Sequence, residues 1–183
     1  MRAVALVRES VPSVRLQIIG EGDFLSSIQE LTKTLGLDRH VSFAPSLPVE
    51  QLPATLARAS VGIVPNRASR STQLMLPSKL LEYATMGMAI IAARLRTIEY
   101  YFPNDAVRYF EPGDIRGLAD AIEELYRQPE KRLVLGRKAA EVAANLSWER
   151  QRQQLFAAID SLLGGHTEPQ SVLDANEHSQ AGG

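Results

Sequence analysis

The segment LPSKLLEYATMG carries the clearest chemistry of the sequence, because it places Lys79 and Glu82 three residues apart. We predict a helix over residues 77–86 that ends at Gly87, so both side chains share one helical face. A helix N-terminus presents free backbone N–H groups and a partial positive charge, which attract phosphate. Because a cation is mildly unfavourable in a first turn, Lys79 indicates an anion nearby. A lysine near phosphates and a glutamate near sugar hydroxyls suit a nucleotide. A plain surface ion pair explains the spacing equally well.

The rest of the chain alternates between apolar strands and amphipathic helices. We predict strands at residues 14–19, 41–44, 61–64, 88–93 and 107–110, with those at 61–64 and 88–93 buried on both faces. We predict further helices at residues 1–10, 24–35, 48–59, 97–101, 115–127, 129–145 and 147–163. This order is typical of an α/β fold in which helices cover both faces of a parallel sheet.

Ligands of such sheets bind beyond the carboxyl ends of the strands. The loops to which this applies are residues 20–23, 44–47, 65–76 and 93–96. The helix that carries Lys79 and Glu82 follows one of them directly. The sequence therefore predicts that the candidate nucleotide site lies at this edge of the sheet.

The composition excludes several other kinds of site. The 183 residues carry a net charge of −1, which gives no general attraction to nucleic acid. Without cysteine, the chain forms no disulfide, thiolate zinc site or cysteine nucleophile. Its three histidines lie far apart, so we expect no metal site.

The same features indicate where the chain resides and how it is divided. Its most apolar run, residues 88–93, is far shorter than the ~20 residues that a membrane-spanning helix needs. We expect a cytoplasmic protein, with peripheral association at the inner face of the membrane left open. We expect one domain over residues 1–164 and a disordered tail over 165–183, where apolar residues are scarce.

The stretch PSKLLEYATMGMAIIAA resembles the donor-binding segment of GT-B glycosyltransferases of the glycosyl transferases group 1 (family four) type. VRLQIIGEGD, VSFAPSLPVEQLPATLARASVGIVP and FEPGDIRGLADAIEELYRQPEKR resemble this family in the same order, so the resemblance covers roughly residues 3–163. It implies a Rossmann-like parallel sheet with helices on both faces, the C-terminal half of a GT-B fold. It also implies a hexosyltransferase-like reaction, usually retaining and without an obligatory metal.

The resemblance also implies the ligands. The donor is a UDP- or GDP-linked sugar, which is a substrate, so no cofactor is expected. The acceptor is a glycan, a lipid or a small molecule. By resemblance, Glu82 bonds the ribose hydroxyls, the N–H groups of Ser78 and Lys79 face the diphosphate, and Gly20 and Gly22 let the backbone approach the donor. The turn at residues 43–46 would lie against the base.

Two departures from the family pattern concern charge. Many members have a second glutamate eight positions before the one that matches Glu82, and this chain has Leu74 there. The arginine and lysine that usually neutralise the diphosphate have no equivalent, which leaves Arg67 and Arg70 as candidate substitutes. Glu99 matches a position where the family often has an acid, and a solvated helix residue explains it equally well. We identify no catalytic residue.

A third departure concerns the extent of the chain. Neither the acceptor-binding N-terminal GT-B domain nor the first strand of the C-terminal domain has a match in the sequence. That strand would lie between the strands at 14–19 and 61–64, so we expect two apolar strand edges that face a gap. Our hypothesis is a fragment that shows negligible transfer by itself.

Three alternatives remain open from the sequence. One is a non-catalytic nucleotide-binding or assembly module that pairs with a separate N-terminal domain. Another is a different GT-B enzyme, such as a nucleotide-sugar epimerase. The third is a receiver-like regulatory domain, for which Glu21 and Asp23 form a poor acidic pocket.

Overall fold

The computed structural model describes residues 1–163, and the predicted tail at 165–183 lies outside this range. The strands are β1 (Leu16–Ile19), β2 (Val41–Ala44), β3 (Val61–Val64), β4 (Ala89–Ala93) and β5 (Arg108–Phe110). The helices are α1 (Arg2–Ser10), α2 (Leu25–Thr34), α3 (Leu52–Leu56), α4 (Ser78–Thr85), α5 (Arg96–Tyr101), α6 (Ile115–Arg127), α7 (Pro129–Asn145) and α8 (Trp148–Leu162). The predicted alternation of strands and helices is therefore confirmed.

The strands form two parallel sheets. In one, β1 pairs with β2, and Leu16 lies opposite Val41. In the other, β4 lies between β3 and β5. Within residues 1–163, no strand pairing joins β1 to β3, so each of these strands has one free edge. This break falls where the sequence predicts a gap.

The core of the larger sheet is built around β4, whose five residues are all buried. A run of five apolar residues suits a strand with neighbours on both sides and helices on both faces. Helices α4, α6 and α7 all pack against β4. The carboxyl end of β4 is therefore held in place by packing on both faces.

Helix α1 packs through apolar side chains against the smaller sheet and against α6, which itself covers the larger sheet. One set, which includes Val7 and Val11, packs with Ala119 of α6. On another face, Val4 packs with Leu37 and Val41 beside the smaller sheet. The two sheets are therefore linked by side-chain packing.

Two sequence predictions need correction. The helix expected over residues 48–59 is a 3₁₀ turn, Val49–Gln51, followed by the short α3. Proline donates no backbone hydrogen bond, so Pro53 fits the first turn of a helix, and the α-helix starts beside it. In β3, only Gly62 and Val64 are buried, because α4 covers that face and the other is partly open.

The chain separates into two compact units. The first comprises Met1–Asn145, and the second starts at Leu146 and includes α8. Helix α8 has no buried residue, and its large apolar side chains are exposed. None of the helices in residues 1–163 has the length and apolar character required to cross a membrane.

Candidate functional site

One face of α4 is buried and holds the helix in place, while its first turn carries residues outside that face. Leu80 and Ala84 are fully buried, and they attach α4 to β3, β4 and α7. Lys79 is half-buried and Glu82 is exposed, so their side chains lie outside this packed face. The sequence correctly placed both residues on a helix that follows the loop after β3.

Two backbone N–H groups at the start of α4 are free. Pro77 precedes the helix in an extended conformation, and no side chain caps the first turn. The Leu80 N–H donates to the Pro77 carbonyl at 3.0 Å, whereas those of Ser78 and Lys79 have no acceptor among residues 1–163. No acidic residue lies in this turn. Free donors beside a lysine create a positive end that suits an anion.

Lys79 and Glu82 do not pair with each other. No nitrogen–oxygen contact within 4.0 Å joins them, and neither forms an ion pair elsewhere in the described part of the chain. The surface ion pair that the spacing also allowed is therefore wrong. Both charged groups are available to a ligand.

Tyr83 holds α4 against β3. A Cβ added to Gly62 would lie 2.8 Å from Cε2 of the Tyr83 ring, so only glycine allows this approach. Burial raises the pKa of the Tyr83 hydroxyl, and the negative charge of Glu82 adds to the effect. The ring therefore stays neutral and packed directly beside the candidate carboxylate.

The loop after β3 presents two further cations. Arg67 and Arg70 are exposed, and neither forms an ion pair with any described residue. Thr72 Oγ1 donates to the Arg67 carbonyl at 2.6 Å, which closes this part of the loop. The structure thus brings both arginines and Lys79 to the same β3–α4 connection.

One residue of this loop was missed by the sequence analysis. The side-chain oxygen of Gln73 accepts a hydrogen bond of 2.8 Å from the backbone N–H of Arg96. Its backbone carbonyl accepts another from Thr97 Oγ1 at 2.8 Å. A single glutamine in a polar loop has no distinctive spacing, and its partners lie more than 20 residues away, so the sequence offered no signal.

The predicted glycine turn lies at the carboxyl end of β1. Gly20 and Gly22 have φ values of +131° and +154°, which side-chain-bearing residues rarely adopt. A Cβ at either position would meet nothing within 4 Å, so there is open space beside the backbone. The Gly20 N–H donates to Ala44 at the end of β2, close to the predicted base-facing turn. No hydrogen bond within residues 1–163 joins this group to α4.

A recess of about 710 Å³ lies beside the loop after β3. It is lined by Leu74, Arg96, Thr97, Glu99, Tyr100 and Tyr101. None of the predicted donor-binding residues lines it. Glu99 forms an ion pair with Arg94, so it is not a free acid.

Clusters of three or more acidic or histidine side chains that could bind a metal ion do not occur in residues 1–163. A bound anion at the start of α4 would face side-chain cations and backbone N–H groups.

The fold defines the class of protein. Sucrose-phosphate synthase from Thermosynechococcus elongatus matches 90% of this chain and 42% of its own length, with a TM-score of 0.75 and 20% identity. HepE from Anabaena, in complex with UDP and glucose, matches 87% of this chain and 44% of its own, with a TM-score of 0.72 and 18% identity. The chain thus has the α/β fold of the C-terminal half of GT-B glycosyltransferases.

The sequence comparison then gives the family. The model for glycosyl transferases group 1 matches residues 1–128, and the chain belongs to this family. A relative from Mycolicibacterium smegmatis, GDP-mannose-dependent alpha-(1-6)-phosphatidylinositol monomannoside mannosyltransferase, is 27% identical over 172 residues. The alignment covers 92% of this chain and 44% of that relative, so the chain spans less than half of its length.

Proposed function

We propose that this chain is the donor-binding part of a glycosyltransferase and that it holds the nucleotide of a UDP- or GDP-linked sugar at the start of α4. The observation that carries the proposal is that, within residues 1–163, Lys79 and Glu82 form no ion pair and the two N–H groups beside them have no acceptor. Family membership supports the transferase class. GDP-mannose in the name of one relative and UDP bound in one structural neighbour make both nucleotides suitable probes.

The positive end of α4 would bind the diphosphate. Backbone N–H groups of Ser78 and Lys79 donate to phosphate oxygens, and the lysine ammonium adds a full charge. Arg67 and Arg70 lie on the preceding loop and would supply further positive charge. Gly20 and Gly22 would let the backbone of the β1 turn approach the donor.

Glu82 would bind the ribose. A carboxylate accepts hydrogen bonds from two neighbouring hydroxyls, and hydrogen bonds to a charged group are stronger than neutral ones. The packing of Tyr83 on Gly62 would fix the direction of this part of α4.

The reaction would be transfer of a hexosyl group with retention of configuration. The acceptor hydroxyl oxygen forms a bond to the anomeric carbon, the bond from that carbon to the diphosphate oxygen breaks, and the hydroxyl proton passes to the departing diphosphate. The departing diphosphate takes the electron pair, so cations and N–H groups stabilise it. We assign no catalytic residue within residues 1–163. The acceptor would be a glycan, a lipid or a small molecule.

The proposal includes a partner and a location. A separate N-terminal domain would complete the cleft for the acceptor, so we expect negligible transfer by the chain alone. The lack of cysteine fits a reducing compartment such as the cytoplasm.

Calorimetric titration of residues 1–183 with UDP and GDP tests the proposal. We expect one of the two nucleotides to bind, and Glu82→Ala to weaken that binding by roughly 10–100-fold, since one or more hydrogen bonds to a charged group are lost. Glu130→Gln is the matched control, because Glu130 is an exposed helical glutamate without an ion pair in the described range. No binding by a well-folded sample, or equal binding by Glu82→Ala, would contradict the proposed site.

A non-catalytic assembly module is the second candidate, and one observation favours it. The chain spans less than half of its relative, and β1 and β3 each have a free edge in residues 1–163. Nucleotide binding without turnover, even after an N-terminal GT-B domain is supplied as a separate chain, would distinguish this module from an enzyme.

A further inference from the structure

The loop that carries the candidate cations has little packing of its own. Leu74 is 75% exposed and Met75 is 43% exposed, and Arg67 and Arg70 are also exposed. Hydrogen bonds rather than burial must therefore hold the conformation of residues 65–76. This conformation decides where the two arginines lie relative to the start of α4.

Inside the loop, a set of hydrogen bonds forms a closed turn. Thr72 Oγ1 donates to the Arg67 carbonyl at 2.6 Å and accepts from the Ser69 N–H at 2.8 Å. The Gln73 N–H donates to the Ser69 carbonyl at 3.0 Å. The backbone of Gln73 is thus part of the turn that bears the arginines.

Gln73 also fastens this turn to α5. Its side-chain oxygen accepts from the Arg96 N–H and its carbonyl accepts from Thr97 Oγ1, both at 2.8 Å. Within residues 1–163, every hydrogen bond from the 65–76 loop to a segment distant in sequence is made by Gln73. This single residue therefore provides the polar attachment of the loop.

The structure to which Gln73 is attached is well ordered. Leu95, Ile98 and Phe102 are fully buried, so α5 is fixed at both ends. Arg94, directly before Leu95, stacks on the Tyr109 ring with its guanidinium carbon 4.8 Å from the ring centroid. An exposed loop is thus attached to a buried helix through one residue, by its side chain and by its backbone carbonyl.

We infer that Gln73 is a positioning residue of the donor site, because its attachment to α5 holds the arginine-bearing loop beside the start of α4, where it would meet the diphosphate. This inference rests on the proposed function. Gln73 acts through the loop and need not touch the nucleotide. An acceptor at the N-terminus of α5 also satisfies a backbone N–H that would otherwise be free.

The test uses the full chain and the variant Gln73→Ala. Hydrogen exchange of the amides in residues 66–76 reports the order of the loop, and titration with UDP and GDP reports binding. We expect loop exchange to become faster and nucleotide affinity to fall, each by about tenfold, in line with the loss of the one side-chain hydrogen bond, while the bond from Thr97 to the backbone carbonyl remains. Because α5 is held by burial, the melting transition should stay cooperative.

Two further variants separate positioning from a general effect on folding. Gln73→Glu keeps an acceptor for the Arg96 N–H, and a negative charge suits a helix N-terminus, so it should restore both loop protection and affinity. Gln29→Ala changes an exposed glutamine of α2 whose side chain forms no hydrogen bond within residues 1–163, and it should alter neither measurement.

Each outcome decides the inference. Faster exchange with weaker binding, both restored by Gln73→Glu, supports it. Unchanged loop exchange in Gln73→Ala overturns it, as does a loosened loop that binds nucleotide with unchanged affinity. If the unmodified chain binds neither UDP nor GDP, the proposed function fails and the donor role of Gln73 fails with it. Failure of the inference alone is recognised by normal binding in the unmodified chain.

Discussion

Tyr109 is a buried hydroxyl with a specific partner. Only 4% of the residue is exposed, and its hydroxyl donates to the Phe102 carbonyl at 2.7 Å. Burial raises its pKa, the charge of Glu99 adds to this, and Arg94 partly opposes it. The folded state therefore retains the proton at a pH where an unfolded tyrosine has lost it.

This arrangement predicts an alkaline loss of stability. Because the folded pKa is raised, the contribution of Tyr109 is complete below pH ~10 and is lost as the pH rises above that value. Tyr109→Phe should reduce the free energy of unfolding at pH 7 by about 1–2 kcal/mol, since the Phe102 carbonyl loses its partner. The variant should also decline less steeply between pH ~10 and ~11. An equal decline with pH in the free energies of unfolding of the two proteins, measured by urea titration, would contradict this account.

Single residues differ in how well the sequence predicts them. Lys79 and Glu82 were found because helical spacing and a helix start leave a pattern along the chain. The absence of an ion pair between them was not predictable, because it depends on side-chain conformations. Gln73 was not found at all, since its partners are close only after β3, β4 and α5 have assembled.

Glu124 joins three parts of the fold. From α6 it accepts from Arg108 of β5 at 2.6 Å and from Lys131 of α7, and its side chain is 22% exposed. The hydrogen bond from Lys131 is the main cause of its lowered pKa; burial opposes this shift, and the hydrogen bond from Arg108 lowers the pKa further. A lowered folded pKa stabilises the protein above the ordinary pKa of glutamate and ceases to do so as the pH falls through the folded value.

The effect of Glu124→Gln on the free energy of unfolding should therefore depend on pH. At pH 7 we expect a loss of about 1–2 kcal/mol in the free energy of unfolding, measured with urea, because both cations lose the negative charge and one of them also loses its acceptor oxygen. Near pH 3 the difference from the unmodified chain should shrink. Glu123→Gln is the matched control, since its pair with the exposed Arg127 is a surface pair of about 0.3–0.5 kcal/mol. Similar losses for both variants would show that Glu124 does not join these elements.

Helices and strands were more predictable than residues. The bounds of α6 and α7 agree with the hydrophobic pattern, and Asp114 caps α6 by accepting from the Gly117 N–H at 2.9 Å. The single helix predicted over residues 48–59 was wrong because Pro53 has no backbone N–H to continue a helix, so the α-helix begins beside it. The prediction that β3 is buried on both faces was wrong, because the local pattern of residues does not reveal which faces other elements cover.

The two sheets make the chain as a whole prone to association. Free edges of β1 and β3 present unpaired N–H and C=O groups to other strands. The N–H groups of Leu16 and Gly20 donate toward β2, so that of Gln17 points to the free edge. We expect concentration-dependent self-association in analytical ultracentrifugation.

Gln17→Pro should reduce this association and keep the fold, because it removes a donor from the free edge alone. Leu16→Pro is the matched variant, since it removes the bond from β1 to the His40 carbonyl and should destabilise the chain. A monomeric unmodified chain at high concentration, or equal association of Gln17→Pro, would contradict the role of this edge.

The packing of α1 has a mechanical consequence. A ladder of strand hydrogen bonds fixes register to the residue, whereas apolar contacts are non-directional and tolerate sliding. Arg8 of α1 donates to the Leu35 and Gly36 carbonyls on the side of the smaller sheet, whereas α1 meets α6 through apolar side chains. We therefore expect a force, or a ligand held from both sides, to shift the two sheets along the contact between α1 and α6 before it deforms either sheet.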